Sequence, residues 1–225
     1  MTDDETDITR VVRSKDDARV SYDRLSKWYD VIAGSSERKY RDVGLDKLGV
    51  AVGERVLEIG FGTGHNVVAL AQKVGTSGRV YGIDLSNGML QLAEARVRAA
   101  GLSARVELAC GDATRLPYET DLFDAVLMSF VLELFDTPEL PVVLRECQRV
   151  LRRHGRISVV ALSKKKRLAV TLYEWAHARF PGAVDCRPIF VRQTLESAGF
   201  QVVGATEMSM WGLPVDVMVA RKVLP

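Results

Sequence analysis

Apolar residues follow two alternating rhythms along the middle of the chain. Short, nearly continuous apolar runs at Arg55–Ile59, Arg79–Asp84, Arg105–Cys110, Phe123–Met128 and Arg156–Leu162 have the length and composition of strands buried on both faces. Between them, apolar positions recur at helical spacing. Val67, Val68, Leu70 and Ala71 predict a helix over 65–74. Met89, Leu90, Leu92, Ala93 and Val97 predict one over 87–100. Leu140, Leu144, Cys147 and Leu151 predict a third. Ser86 is the expected cap of the second and Gly101 its end; Thr137 and Pro138 are the expected start of the third and Gly155 its end. Strand and helix alternating in this way predict an α/β domain with a parallel sheet.

The flanks read differently. Residues 1–18 are charged and lack a period, which predicts a flexible arm. Tyr22, Leu25, Trp28, Tyr29 and Ile32 then recur at helical spacing up to a break at Gly34-Ser35-Ser36. A second helix is expected from Glu37 to Leu48, with Tyr40, Leu45 and Leu48 on its apolar side. Past the core, the basic run Lys164–Arg167 precedes a helical pattern of Leu168, Leu172, Tyr173, Trp175 and Ala176. Thr194–Phe200 reads as a helix end entering a last pair of strands, near 200–206 and 215–221. One domain is expected over 19–225: helices over 19–50, a core over 51–163, and an insertion with the final strands over 164–225.

Bulk properties narrow the function. A chain of 225 residues holds one full α/β core. A net charge of +2 argues against general nucleic-acid binding. There is no apolar run of about 18 residues and no apolar segment of the signal-peptide kind, so a cytoplasmic protein without a membrane span is expected. Cys110, Cys147 and Cys186 lie far apart, and no pair among His65, His154 and His177 has ligand spacing, so no metal is expected. Cys110 and Cys147 sit in apolar contexts and are expected to be buried.

The chemistry concentrates at Glu58-Ile59-Gly60-Phe61-Gly62-Thr63-Gly64, where the first strand turns into the first core helix. Glycines at such a turn take positive φ and let a ligand approach the backbone, and the following helix start offers free N–H groups. A dinucleotide fingerprint would put its third glycine at 65, which is His65. Glu58 stands out as a charge in a strand buried on both faces. Asp84 ends the second strand, about 20 residues past the turn, where Rossmann-type proteins hold a ribose hydroxyl pair. Asp112 follows the third strand in Gly111-Asp112-Ala113, which fits a tight turn as well as a ligand acceptor.

Together, the Gly-x-Gly-x-Gly turn, Asp84 and the Gly-Asp-Ala step resemble the class I S-adenosylmethionine (SAM) dependent methyltransferases. Arg149–Ile157 resembles the post-core motif of the same superfamily, and Tyr22-Asp23 and Tyr29-Asp30 resemble the paired motif of the methyltransferases of ubiquinone and menaquinone biosynthesis and of bacterial phospholipid N-methyltransferases. The resemblance implies a Rossmann-like, doubly wound, seven-stranded and mostly parallel sheet with an antiparallel last strand, and an N-terminal helical lid over 19–50. It implies SAM as cofactor. Tyr22 and Tyr29 would close the site and reach the SAM carboxylate, with Tyr29 the favoured one. Glu58 would serve the methionine amino group, Gly60, Gly62 and Gly64 would line the turn, and Asp84 would hold the ribose. Leu85 and Met89 would pack near the adenine, while Asp112 and the Ala113 N–H would read its edge. Ser129 would sit beside the methyl donor.

Past the fourth strand, Ser129–Phe135 is apolar apart from Ser129 and Glu133, so Phe130 is expected to line an apolar acceptor, while Glu133 fits a base or substrate-orienting group and equally a surface residue. Glu133 and Tyr29 are the candidate catalytic groups. Arg187 lies in the insertion and fits either a substrate ligand or a surface ion pair. The expected acceptor is a small apolar or amphipathic molecule, a quinol-type ring first. The basic run suggests phospholipid N-methylation with peripheral membrane contact as the alternative, and a SAM-binding protein without turnover is the third. The oligomeric state has no signature in the sequence.

Overall fold

In a computed structural model of the chain, residues 10–11, 15–32, 34–165, 170–171, 173 and 186–223 are described, with the backbone alone for 24–32 and 34–36. Two helices, α1 (Lys15–Ile32) and α2 (Gly34–Leu48), precede the core. Then follow β1 (Arg55–Ile59), α3 (His65–Lys73), β2 (Arg79–Asp84), α4 (Asn87–Ala99), β3 (Val106–Cys110), β4 (Phe123–Ser129), α5 (Leu140–Val150), β5 (Leu151–Leu162), α6 (Val191–Ser197), β6 (Phe200–Met210) and β7 (Leu213–Lys222). The helix expected over 168–176 falls largely outside the described residues.

The seven strands form one sheet in the order β3-β2-β1-β4-β5-β7-β6. β7 alone runs antiparallel to the others. Strand order reverses between β1, which leads outward to β2 and β3, and β4. Ligands of open α/β sheets bind at the carboxyl edge of such a switch point.

Period-two alternation in the strands divides the core. Leu57 and Ile59 of β1 join Val126 and Met128 of β4 under α5, whereas Val56 joins Ala125 and Leu127 on the face covered by α3 and α4. Glu58 shares the parity of Val56, so its side chain points toward α3. A third apolar cluster, with Tyr40, Phe130, Val160, Leu162, Val215 and Val217, lies beneath α2.

Several boundaries differ from the sequence pattern. α1 begins at Lys15, inside the stretch assigned to the arm, and α2 begins at Gly34. Ser86 caps α4 as expected, accepting the Met89 N–H at 3.1 Å. Thr137 does not cap α5. The helix starts at Leu140 behind Glu139, and the Thr137 hydroxyl instead faces Arg187 Nη1 at 3.3 Å. Gly155 does not end α5 either, because the chain enters β5 directly at Leu151. The left-handed residue there is His154, at φ 65°. Gly155 is needed for space, since a Cβ would lie 2.8 Å from the Arg152 carbonyl and 2.9 Å from Leu151. Cys147 is buried, but Cys110 is exposed at the carboxyl end of the edge strand β3.

Candidate cofactor and active site

The site begins where β1 ends. The Gly60 N–H donates to the Ile83 carbonyl at 2.7 Å, extending the β1–β2 ladder by one rung before the chain turns. Gly60, Gly62 and Gly64 all have positive φ, at 67°, 52° and 84°. They serve different ends. A Cβ on Gly60 would meet Val131 Cγ2 at 2.3 Å, and one on Gly64 would meet Ala93 Cβ at 2.8 Å, so both are packed against neighbouring elements. A Cβ on Gly62 meets nothing within 4 Å. The turn therefore presents open backbone at Gly62. Arg96 of α4 braces it, donating from Nη1 to the Thr63 hydroxyl at 2.9 Å and to the Thr63 carbonyl.

Two carboxylates meet this turn and the helix after it, and a third lies past β3 on the same edge of the sheet. Glu58 is 1% exposed. Its Oε1 accepts from the Asn66 side-chain amide at 2.9 Å, whereas Oε2 is buried without a partner. Burial pushes its carboxyl up to about 8, with Asn66 and Arg41 pulling down and Asp84 adding to the rise. Burial without a cationic partner in contact thus favours the neutral acid. Asp84 is tied at both oxygens: Oδ2 accepts the Gly62 N–H at 2.9 Å and Oδ1 the Ser86 N–H at 2.9 Å. Burial raises it as well, against the pull of those backbone donors. Asp112 lies past β3. Its Oδ1 takes the Thr114 N–H at 2.9 Å and its Oδ2 takes Lys15 Nζ at 2.6 Å. Partial burial works against these bonds, but the net effect holds Asp112 below its ordinary range.

These observations fit SAM in its expected place. The buried Oε2 of Glu58 lacks a donor, Gly62 leaves room for a ligand against the backbone, and the Ser129 hydroxyl at the end of β4 is buried without a partner. Carboxylates accept hydroxyl and ammonium donors, which is what a nucleoside and an amino acid offer.

The remaining expected residues fall into distinct settings. Leu85 is half-buried beside Asp84. Met89 is 2% exposed within the cluster under α3 and α4, and Ala113 is 5% exposed in the opposite cluster. Tyr22 packs, half-buried, against the first of these. Its neighbour Asp23 has a defined partner set, accepting the Ser86 hydroxyl at 2.5 Å and the Gly88 N–H at 2.9 Å. The side chain of Tyr29 lies outside the described residues.

On the acceptor side, Phe130 adopts φ 55° and packs edge-on against Tyr40, with ring centroids 6.0 Å apart. It belongs to the apolar wall. Glu133 is fully buried in a short 3-10 turn, Leu132–Leu134. Its Oε1 accepts the Leu162 N–H at 3.1 Å, and Oε2 has no partner. Burial pushes it up to about 8; its own and the Leu162 N–H lower it, Glu37 raises it, and Arg187 lowers it. Arg187 is not a surface residue: it is fully buried and donates to the Phe135 carbonyl at 2.5 Å. It fastens the segment after β4 to the insertion.

Sequence reasoning missed Asn66, Arg96, Asp23 and Lys15. Asn66 carried a usable signal, since a buried Glu58 requires a donor and Asn66 opens the helix that faces it. The others bind across long separations and left no local mark. Of the basic run, Lys165 is taken up by Glu207 at 2.6 Å and Asp216 at 3.2 Å. Among the described residues, no cluster of His, Cys, Asp or Glu has the makings of a metal site, and no helix is long and apolar enough to cross a membrane.

Residues 56–155 match a family described as "Methyltransferase domain". A demethylmenaquinone methyltransferase from Lactobacillus johnsonii is 34% identical over 161 residues, covering 70% of this chain and 65% of that protein. One from Geobacillus is 31% identical over 163 residues, covering 71% and 68%. Matches of this kind thus span about two thirds of the relatives' own length. Among solved structures, the [4+2]-cyclase SpnF superposes with TM-score 0.76 at 18% identity, covering 95% of this chain and 98% of that one. A SAM-dependent methyltransferase from Aquifex aeolicus superposes with TM-score 0.69 at 22% identity, covering 89% and 98%. At such identities the superpositions speak for the fold alone.

Proposed function

This chain belongs to the class I SAM-dependent methyltransferase family, and from that premise we propose that it methylates a small apolar or amphipathic acceptor, a quinol-type ring first. When bound, SAM supplies an electrophilic methyl group on a good leaving group. Glu58, Asp84 and Asp112 hold the cofactor by its amino, ribose and purine donors against the open backbone at Gly62. Ser129 lies at the end of the switch-point strand, beside the reacting end. The protein's main contribution is to hold the two reactants in line and exclude water.

The observation that carries the acceptor assignment is Glu133. A carboxyl with one oxygen unpartnered, fully buried just past β4 and raised to about 8, suits a ring hydroxyl. Glu133 would take the hydroxyl proton; the oxyanion feeds electron density into the ring carbon that accepts the methyl group, and that carbon then releases its own proton to restore the aromatic ring and reform the hydroxyl. A base with a pKa near the working pH is effective in this role. Phe130, Val131 and Leu132, which precede it in the chain, are buried and apolar, as the surroundings of a ring require. The names of the two sequence relatives, both demethylmenaquinone methyltransferases, support a quinol substrate.

The test is methyl transfer from labelled SAM to detergent-dispersed demethylated quinols, run beside phosphatidylethanolamine vesicles. Label is expected in the quinol. Label confined to the phospholipid overturns the acceptor assignment, and SAM binding without label in either arm marks a binding protein. Glu133→Gln is expected to lower kcat at least tenfold while SAM affinity holds, because its role concerns the acceptor alone.

A further inference from the structure

The N-terminal segment runs across the carboxyl edge of the sheet and is fastened there at three stations. Arg10 makes a forked pair with Asp136, Nε to Oδ1 at 2.9 Å and Nη2 to Oδ2 at 2.6 Å, and the Val11 N–H donates to the same carboxylate at 3.0 Å. Asp23 is fixed at the start of α4 by Ser86 and Gly88. Between these ends stands Lys15. Its Nζ lies 2.6 Å from Asp112 Oδ2, 2.6 Å from Glu139 Oε1 and 3.4 Å from the Thr114 hydroxyl.

The oxygens of Asp112 are therefore both engaged. Oδ1 closes the turn onto Thr114, and Oδ2, the one that faces away from that turn, is held by Lys15. Each oxygen keeps a further lone pair, so the competition is for place and charge: a purine amine directed to Oδ2 approaches an ammonium already on that oxygen, and two donors sharing it weaken one another. Glu139 offers Lys15 a second seat at equal distance. The side chains of Lys15, Asp112 and Glu139 are 40%, 36% and 30% exposed, so each pair is a weak, readily opened surface contact.

We propose that Lys15 is a positioning residue for the purine of SAM, shared between Asp112 and Glu139 in the free protein and passed wholly to Glu139 when the purine amine takes Asp112. This rests on the assignment of Asp112 as the purine acceptor. The two partners of Lys15 then act in opposite directions. Glu139 draws the ammonium off Asp112 and favours binding. Lys15 itself competes with the cofactor. A lysine that merely fastened the segment would favour binding by closing the site, and its loss would weaken affinity.

The experiment is calorimetric titration of the full chain with SAM for the wild type and four variants, with the melting temperature of each recorded. Lys15→Met is expected to tighten SAM binding about threefold, and Glu139→Gln to weaken it about threefold, the scale of one exposed ion pair. Lys15→Arg keeps the charge and is expected to return affinity to near the wild-type value. Unchanged or weakened binding by Lys15→Met overturns the competition, and tightening by Glu139→Gln overturns the second seat. Asp112→Asn tests the underlying assignment separately. If it leaves affinity unchanged, the purine assignment falls and the proposal with it. If it weakens binding while Lys15→Met does not tighten it, the proposal alone falls.

Discussion

The backbone N–H of Gly62 donates to Oδ2 of Asp84 at 2.9 Å. This bond joins the apex of the glycine turn to the end of the neighbouring strand, so the acid expected to hold the ribose also fixes the loop expected to hold the rest of SAM. The other oxygen of Asp84 is committed to the Ser86 N–H, which starts α4. Both bonds use single lone pairs and leave others for hydroxyl donors.

Asp84→Ala removes the hydroxyl acceptor and unties the turn together. SAM affinity is expected to fall at least tenfold by calorimetry. Asp84→Asn, which keeps one carbonyl oxygen, should fall between that variant and the wild type. Wild-type affinity in Asp84→Ala would take this residue out of the site.

The glycines of the turn separate packing from binding. Gly60→Ala places a Cβ 2.3 Å from Val131 Cγ2 at φ 67°, which combines overpacking with left-handed strain. A loss of about 2–4 kcal/mol is expected. Gly62→Ala at φ 52° meets nothing within 4 Å and bears only the backbone strain, about 1 kcal/mol. Thermal melts should therefore rank Gly60→Ala well below Gly62→Ala, while Gly62→Ala loses SAM affinity because its methyl group intrudes where the ligand approaches. Equal melting temperatures would contradict the packing, and full affinity in Gly62→Ala would contradict the approach.

Glu58 makes cofactor binding depend on pH. Its carboxyl ionises near 8 in the free protein, mainly because it is buried. A docked ammonium favours the ionised form, so binding below that value releases a proton. Affinity for SAM should rise with pH toward about 8 and fall again above it, where the cofactor's own amino group loses its proton. Repeating the titration in buffers of different ionisation enthalpy reads the proton directly, and Glu58→Gln should flatten the profile. A flat wild-type profile would separate Glu58 from the ammonium. The same raised value acts on stability. In the unfolded chain the group ionises near 4.5, so between 4.5 and about 8 the folded state binds the extra proton. Its contribution to stability thus falls as pH rises through that window.

The strands of the core and the helices between them were legible from residues 55–162, because burial on both faces of a parallel sheet forces continuous apolar runs and a packed helix forces a 3.6-residue period. The glycine turn and the buried Glu58 were legible for a similar reason: positive φ and a charge inside a strand are local signatures. Local pattern failed where a residue's role is assigned by a distant neighbour. Thr137 has the chemistry of a cap, yet Arg187 claims its hydroxyl. Gly155 has the chemistry of a helix stop, yet it is a space-saving residue beside Leu151. Arg187 fits a surface ion pair by its place in the chain, yet it is buried. The pairs Arg10–Asp136 and Lys15–Asp112 span 126 and 97 residues and exist only because strand order brings the ends of β3 and β4 to the edge that the N-terminal segment crosses. Burial in periodic elements and the bends of the backbone are local properties, readable along the chain. Which charges meet emerges on folding alone, since an ion pair depends on positions that no local period encodes.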